Sequence, residues 1–169
     1  MSTRTVGLLL ALVLLPAAAG AQRRGTMELG AFASATTFDK SLTLDNAIGG
    51  GGRIGMFFVP RLSAEFEEAR MKATRPLGLA DVNVGIIAGR LTAVAYDANP
   101  FSFIVGVGAG VSTETNFLHE YGVDVLAGVK YAFNDRTVFR VDGVWDWLTA
   151  RDWKSYKTLR VGLAYYRHP

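Results

Sequence analysis

From Thr26 to the end of the chain, apolar and polar residues alternate one by one through segment after segment, and this period of two limits the fold more than any other feature. In "YGVDVLAGVKYAF", Tyr121 to Phe133, the odd positions read Tyr, Val, Val, Ala, Val, Tyr, Phe and the even positions Gly, Asp, Leu, Gly, Lys, Ala. Successive side chains of a β-strand point to opposite faces. The segment therefore reads as a strand with one apolar, aromatic-ended face and one face that carries a carboxylate and an amine. The same pattern recurs in "TMELGAFAS", "RIGMFF", "RLSAEFE", "FSFIVGVGAGVS", "TVFRVDGVWDW" and "KTLRVGLAYY". Asp81 to Tyr96 is less regular, with Val82, Val84 and Ile86 on one parity and Leu91, Ala93 and Ala95 on the other. A bulge near Gly89-Arg90, which would flip the faces, reconciles the two halves and brings the expected count to eight strands.

The connections between these segments are of two kinds. "VPR" near Pro60, "DANP" at Asp97–Pro100 and "FNDRT" around Asn134-Asp135 are tight turns built from Pro, Asn and Asp. Longer polar connections lie between them, at Asp39 to Gly50, Ala73 to Ala80, Thr113 to Glu120 and Ala150 to Ser155. Short and long connections in alternation are expected of an up-and-down barrel with one compact rim, which also carries both termini.

The N-terminal stretch "MSTRTVGLLLALVLLPAAAGAQRR" has Arg4, an apolar run from Val6 to Leu15 and a small-residue Ala19-Gly20-Ala21 site, the plan of a cleavable signal peptide at 1–21. Its uncharged run from Val6 to Ala21 holds 16 residues, short of the roughly 20 that cross a bilayer as a helix. The remaining Gln22–Pro169, 148 residues (169 less 21), suits one domain. That part has 17 basic and 15 acidic side chains, one base fewer than the whole chain, and the near-balance gives no footprint for nucleic acid. The absence of cysteine rules out disulfides, thiol chemistry and a lipidated cysteine. No later segment approaches 18 consecutive apolar residues. A membrane location would thus require a closed β-barrel, the one other architecture that satisfies every backbone group in lipid.

Whether lipid or water meets the apolar face decides between a transmembrane barrel and a soluble, lipocalin-like one. Tyr121, Tyr131, Phe133, Phe101, Phe103, Trp145, Trp147 and Tyr165 share the apolar parity and gather towards strand ends, as interfacial aromatic girdles do. The opposite parity carries Glu28, Arg53, Glu65, Glu67, Asp124, Lys130, Arg140, Asp142, Asp146 and Arg160 amid many glycines. A narrow eight-stranded barrel has room inside for side chains and not for an open channel. The reading is therefore lipid outside Val123, Val125 and Val129, and a packed polar lumen around Asp124 and Lys130.

With its leader, eight short strands and terminal "LRVGLAYYRHP", the chain resembles the small outer-membrane β-barrel family and is similar to the barrel domain of outer-membrane protein A. The resemblance covers essentially all of residues 22–169. It implies insertion by the barrel-assembly machinery, guided by a C-terminal strand in which Arg160, Gly162 and Tyr165 fit the expected spacing. Arg167 stands where a final aromatic is expected. No periplasmic domain is expected after the barrel.

Several local patterns invite chemistry. Gly50, Gly52 and Gly55 spell G-x-G-x-x-G, but a dinucleotide site needs that motif between a strand and a helix. Here it precedes an alternating strand and reads as a loop end. His119 and His168 would need converging partners to hold a metal. Lipid A deacylases on small outer-membrane barrels use a Ser nucleophile, a His base and a carboxylate. Ser112, His119 and Glu114 contain those types without the family's His-x-Ser spacing, and a palmitoyl-transfer enzyme fits no better. The clustered carboxylates Glu65, Glu67 and Glu68, and Asp142 with Asp146, invite an acid–base reading, Glu65 and Glu67 sharing one strand face, but pairing with Arg53, Arg140 and Arg160 is the simpler reading.

The expectation is an all-β, eight-stranded antiparallel up-and-down transmembrane β-barrel, monomeric, in the outer membrane of a diderm bacterium. No catalytic, cofactor-binding or metal residue is assigned and no cofactor is expected. The expected partners are outer-membrane lipids and lipopolysaccharide, with the barrel-assembly machinery during insertion. The expected role is structural or surface-interacting, the alternatives being a lipid A-modifying hydrolase and a secreted soluble barrel for a small apolar ligand.

Overall fold

The computed structural model describes residues 23–40, 44–74, 81–114, 119–149 and 154–169, so the leader expected at 1–21 lies outside the described residues. Eight strands form in chain order: β1 (Met27–Phe38), β2 (Ala47–Val59), β3 (Leu62–Ala73), β4 (Val82–Ala98), β5 (Phe101–Glu114), β6 (His119–Ala132), β7 (Thr137–Leu148) and β8 (Lys154–Arg167). Each pairs antiparallel with its neighbours in sequence, and β1 pairs with β8, which closes the barrel.

The register fixes the geometry. A circuit that leaves β1 at Thr36 passes through Thr158, Val144, Leu126, Gly106, Thr92, Ser63 and Phe57. It returns to β1 at Thr26, whose carbonyl accepts from the Phe57 amide, ten residues from its start. With ordinary strand spacing and rise, that shear corresponds to a strand tilt of about 40°. A twelve-residue strand such as β1 then rises about 30 Å, enough to cross an apolar band about 25 Å tall.

Alternation is almost unbroken, and even positions face inward on every strand except β2, β3 and the start of the turn regions, where the odd positions do. On β4 the expected bulge at Gly89-Arg90 is absent. The pairing of β4 with β3 runs continuously from Val82 to Ala93, and the irregularity against β5 lies between Val94 and Tyr96. Val82, Val84 and Ile86 therefore point into the lumen, and Arg90 does too. The sequence reading went astray because it required one apolar face along the whole strand. The lumen is itself apolar near the long-loop rim, so the hydrophobic parity changes while the register does not.

The connections also shift. Among the long ones, the link between β5 and β6 shrinks to residues 115–118, because the strands extend through Thr113↔His119. The G-x-G-x-x-G glycines are not a loop end but lie within β2. Gly51 is the cross-strand partner of Phe32 on one side and Gly162 on the other. A Cβ at Gly51 would come within 2.7 Å of the Phe32 ring and 2.2 Å of the Glu68 carbonyl oxygen, and one at Gly162 within 2.2 Å of the Ala31 carbonyl oxygen. These glycines let neighbouring strands close around an inward-pointing aromatic ring. At the β6–β7 turn, Asn134 Oδ1 accepts from the Arg136 and Thr137 amides at 2.9 and 2.8 Å, the side-chain turn for which Asn is favoured.

Candidate functional site

Six buried carboxylates (Glu28, Glu65, Glu67, Asp124, Asp142 and Asp146) face five buried cations (Arg53, Arg90, Lys130, Arg140 and Arg160) across the middle of the lumen. Burying a charge is costly unless it is paired and hydrogen-bonded, and the strands bring the pairs together from distant parts of the chain. Towards the short-turn rim, Arg140 donates to Glu65 Oε1 and Oε2 at 2.9 and 3.0 Å and to Glu28 at 3.0 Å. Its Nη2 also lies 3.2 Å from Asp142 Oδ2, which accepts from Arg53 at 3.0 Å. Lys130 donates to Glu28 at 2.6 Å and to the Tyr166 hydroxyl at 3.1 Å. Thr92 donates to Glu65 at 2.9 Å.

Higher in the barrel, Glu67 pairs with both Arg90 and Arg160, and Arg90 Nε donates to Asp124 at 2.6 Å. The Phe32 ring joins the two groups, with the guanidinium carbons of Arg53 and Arg160 at 4.8 and 5.2 Å from its centroid, within cation–π range. Of the carboxylates of the sequence analysis, Glu65, Glu67 and Asp142 are ion-paired as expected, whereas Asp146 makes no ion pair among the described residues and its Oδ2 has no hydrogen-bond partner there. Arg90 was missed through the bulge assignment; the even spacing from Arg90 to Thr92 and Val94 was the signal for it. Glu68 leaves the group, since it faces outward and pairs with Arg70.

Apolar clusters lie on either side of this belt. Ala47, Met71, Ala73, Val82, Val84, Ile86, Leu148 and Tyr156 fill the lumen towards the long loops. Phe57, Val94, Ile104, Val138 and Tyr166 fill it towards the short turns. A cavity of about 260 Å³ remains at the short-turn end, beside Lys130, Val138 and Tyr166.

The outside is the reverse. Leu91, Val105, Val107, Val125, Leu159 and Leu163 are exposed around its waist. Tyr96, Phe101, Phe103, Phe133 and Tyr165 ring the short-turn end, with Phe101, Tyr131 and Phe133 in edge-to-face contact. Near the other end Trp145 and Trp147 stack at 5.3 Å, and Lys157 Nζ sits 4.4 Å from the Trp145 centroid. Strand β3 interrupts the band. Its outward residues run Phe66, Glu68, Arg70, Lys72 towards the long-loop rim, and the tilt sets Glu68 roughly level with Val125 and Leu159. Arg70 Nε and Nη2 both donate to Glu68 Oε1, at 3.0 and 2.8 Å, and Lys72 pairs with Asp81 at 2.5 Å. A groove lies on each side of this ridge, of about 400 Å³ towards β2 and about 1010 Å³ towards β4.

The two histidines lie at opposite rims, and the β5–β6 register brings Ser112, Glu114 and His119 to one pair of strand ends. His168 Nε2 donates to the Asp135 carbonyl at 2.8 Å while Nδ1 lies 3.2 Å from Thr26 Oγ1, tying the chain end to the β6–β7 turn. His119 opens β6 at the other rim, opposite Thr113, and Ser112 pairs with Glu120. Among the described residues no group of three or more His, Cys, Asp or Glu could hold a metal ion.

No known family profile matches the chain, and no curated protein matches it in sequence. Solved structures do match in shape. Outer membrane protein OprG from Pseudomonas aeruginosa superposes with a TM-score of 0.66 at 15% identity, over 90% of this chain and 100% of that one. The fold is that of the small outer-membrane β-barrels. Neisserial surface protein A matches at 0.62 and 15% identity, over 83% of this chain and 95% of that one. Ail, the attachment invasion locus protein of Yersinia pestis, matches at 0.51 and 14% in its complex with the heparin analogue sucrose octasulfate, over 85% of this chain and 99% of that one. At these identities the likeness concerns the barrel, which in this chain encloses a charged belt and turns a mostly apolar surface outward.

Proposed function

We propose that this small barrel is a monomeric, non-catalytic protein of the outer membrane of a diderm bacterium, acting as a structural or surface-interacting element. One observation carries the reading: the lumen encloses a belt of charged groups that, Asp146 apart, are ion-paired with one another, while the band of exposed Val, Leu, Phe and Trp needs an apolar solvent. Ion pairs that satisfy each other, between apolar clusters, are suited to holding eight strands together. The leader at 1–21 would direct export, and the barrel-assembly machinery would insert the chain through β8, where Arg160, Gly162 and Tyr165 lie. Outer-membrane lipids and lipopolysaccharide would then be its nearest partners. That the similar Ail barrel was solved with a sulfated sugar supports contact with anionic sugars at the cell surface.

The test is fractionation of expressing cells, with gel mobility of the detergent-extracted protein before and after boiling. The expected result is a band in the outer-membrane fraction that migrates differently once boiled. Recovery as a soluble periplasmic protein with no shift would contradict the reading.

A further inference from the structure

We propose that the outer face of β2, β3 and β4 binds a phosphorylated, multiply acylated glycolipid of the outer leaflet, standing upright against the charged ridge of β3. The inference rests on the outer-membrane reading above. Charged side chains on the lipid face of a barrel are disfavoured the deeper they lie, and ionisable groups at membrane depth mark functional positions by default. Glu68 breaks the apolar band, and Arg70 stands above it at a level where Lys157 of β8 also faces outward; the Glu68 and Arg70 side chains are 51% and 84% exposed.

The smaller of the two grooves beside the ridge has a direction. In it Arg70 and Glu68 stand towards the long-loop end while Ile54 and Phe66 continue towards the waist, whereas in the larger one Ile48, Ile87 and Val111 stand among Arg70, Lys72 and Asn83. Polar above and apolar below, along the bilayer normal, is the order of a lipid and not of a protein surface. Nor does the barrel itself require the bareness of the smaller groove. A Cβ at Gly52 would meet only the Gly30 carbonyl oxygen at 3.7 Å, an ordinary contact, unlike the closed space at Gly51.

The head group follows from the charges. Among the described residues, Arg70 and Lys72 are held by exposed partners, Glu68 and Asp81, and exposed ion pairs hold weakly. Cations so placed can turn to phosphate, the stronger charge-assisted acceptor. The carboxylates beside them accept from sugar hydroxyls. A mixed-sign ridge thus fits a phosphorylated sugar better than a simple anionic phospholipid, which brings acceptors and few donors.

Native mass spectrometry of the full barrel in detergent tests this, with bis-phosphorylated lipid A, its dephosphorylated form and phosphatidylglycerol as probes. The wild type is expected to retain one bis-phosphorylated molecule. Arg70→Ala/Lys72→Ala should weaken retention by about tenfold or more, as loss of charge-assisted bonds does. Gly52→Leu, which fills a groove and keeps every charge, should weaken it as well. Each variant's shift on boiling reports its folding, and the single Lys72→Ala change at an exposed position serves where the double variant does not assemble. Equal retention by wild type and folded variants would overturn the proposal, as would equal retention of phosphatidylglycerol or dephosphorylated lipid. A two-chain mass lost on Glu68→Ala would also overturn it, by making a second copy the occupant. A protein lacking any shift on boiling would instead sink the outer-membrane reading, so the two failures are distinct.

Discussion

Replacing Arg140 by Met is expected to destabilise the folded barrel by about 3–5 kcal/mol, the cost of leaving buried charges without their partner. Arg140 is almost wholly buried and is the hub at which Glu28, Glu65 and Asp142, from three different strands, meet. Its loss changes the belt from six carboxylates against five cations to six against four. Met is close to Arg in length and leaves little cavity, so the effect reports charge and hydrogen bonding more than volume. Urea unfolding in lipid vesicles, followed by gel mobility without boiling, measures it. The double variant Arg140→Met/Glu65→Leu removes a carboxylate along with the cation and should recover part of the loss, because the two residues share one network. A single-variant cost under about 1 kcal/mol would mean that water reaches the belt and screens it, contrary to burial between apolar clusters.

The change Leu91→Arg is expected to cost about 2–4 kcal/mol in the same assay, the penalty for a cation facing lipid near the bilayer midplane. Leu91 is 58% exposed at the waist of the barrel, next in sequence to Arg90, which is 3% exposed and paired with Glu67 and Asp124. One step along β4 thus separates a site that holds a guanidinium from a site that rejects one. Were the barrel surrounded by water, an exposed Leu91→Arg change would lie within about 0.5 kcal/mol of neutral. The assay therefore separates the transmembrane barrel from the soluble barrel by magnitude.

Strand number, order and closure were legible because a period of two survives even where composition is uneven. In β6, β7 and β8 the charged parity and the aromatic parity could be read directly from Asp124 and Lys130, from Arg140, Asp142 and Asp146, and from Tyr165 and Arg160. The reading failed where hydrophobicity was equated with the outside. Val82, Val84 and Ile86 pack against Met71 and Leu148 inside the barrel, so apolar character there marks a lumen cluster and not the lipid face. Which acid pairs with which base was not legible, since Arg53 with Asp142 and Arg160 with Glu67 join residues 89 and 93 positions apart, and only the shear brings them to one level. Parity sets Glu65 and Glu67 on one face and leaves Glu68 on the other, as the structure has them. The pairing of Glu68 with Arg70, two residues on and on the same face, needed the structure to show it.

The central claim is that lipid surrounds the barrel, and the lack of cysteine makes a direct measurement possible. Single cysteines placed at Leu91, Val107 and Val125, each labelled with a nitroxide in vesicle-reconstituted protein, report collision with dissolved oxygen and with a water-soluble nickel chelate. The expected result at all three is high oxygen accessibility and little access for the nickel chelate, as for a probe among acyl chains. Free access of the chelate at these positions would place water around the waist and contradict the account.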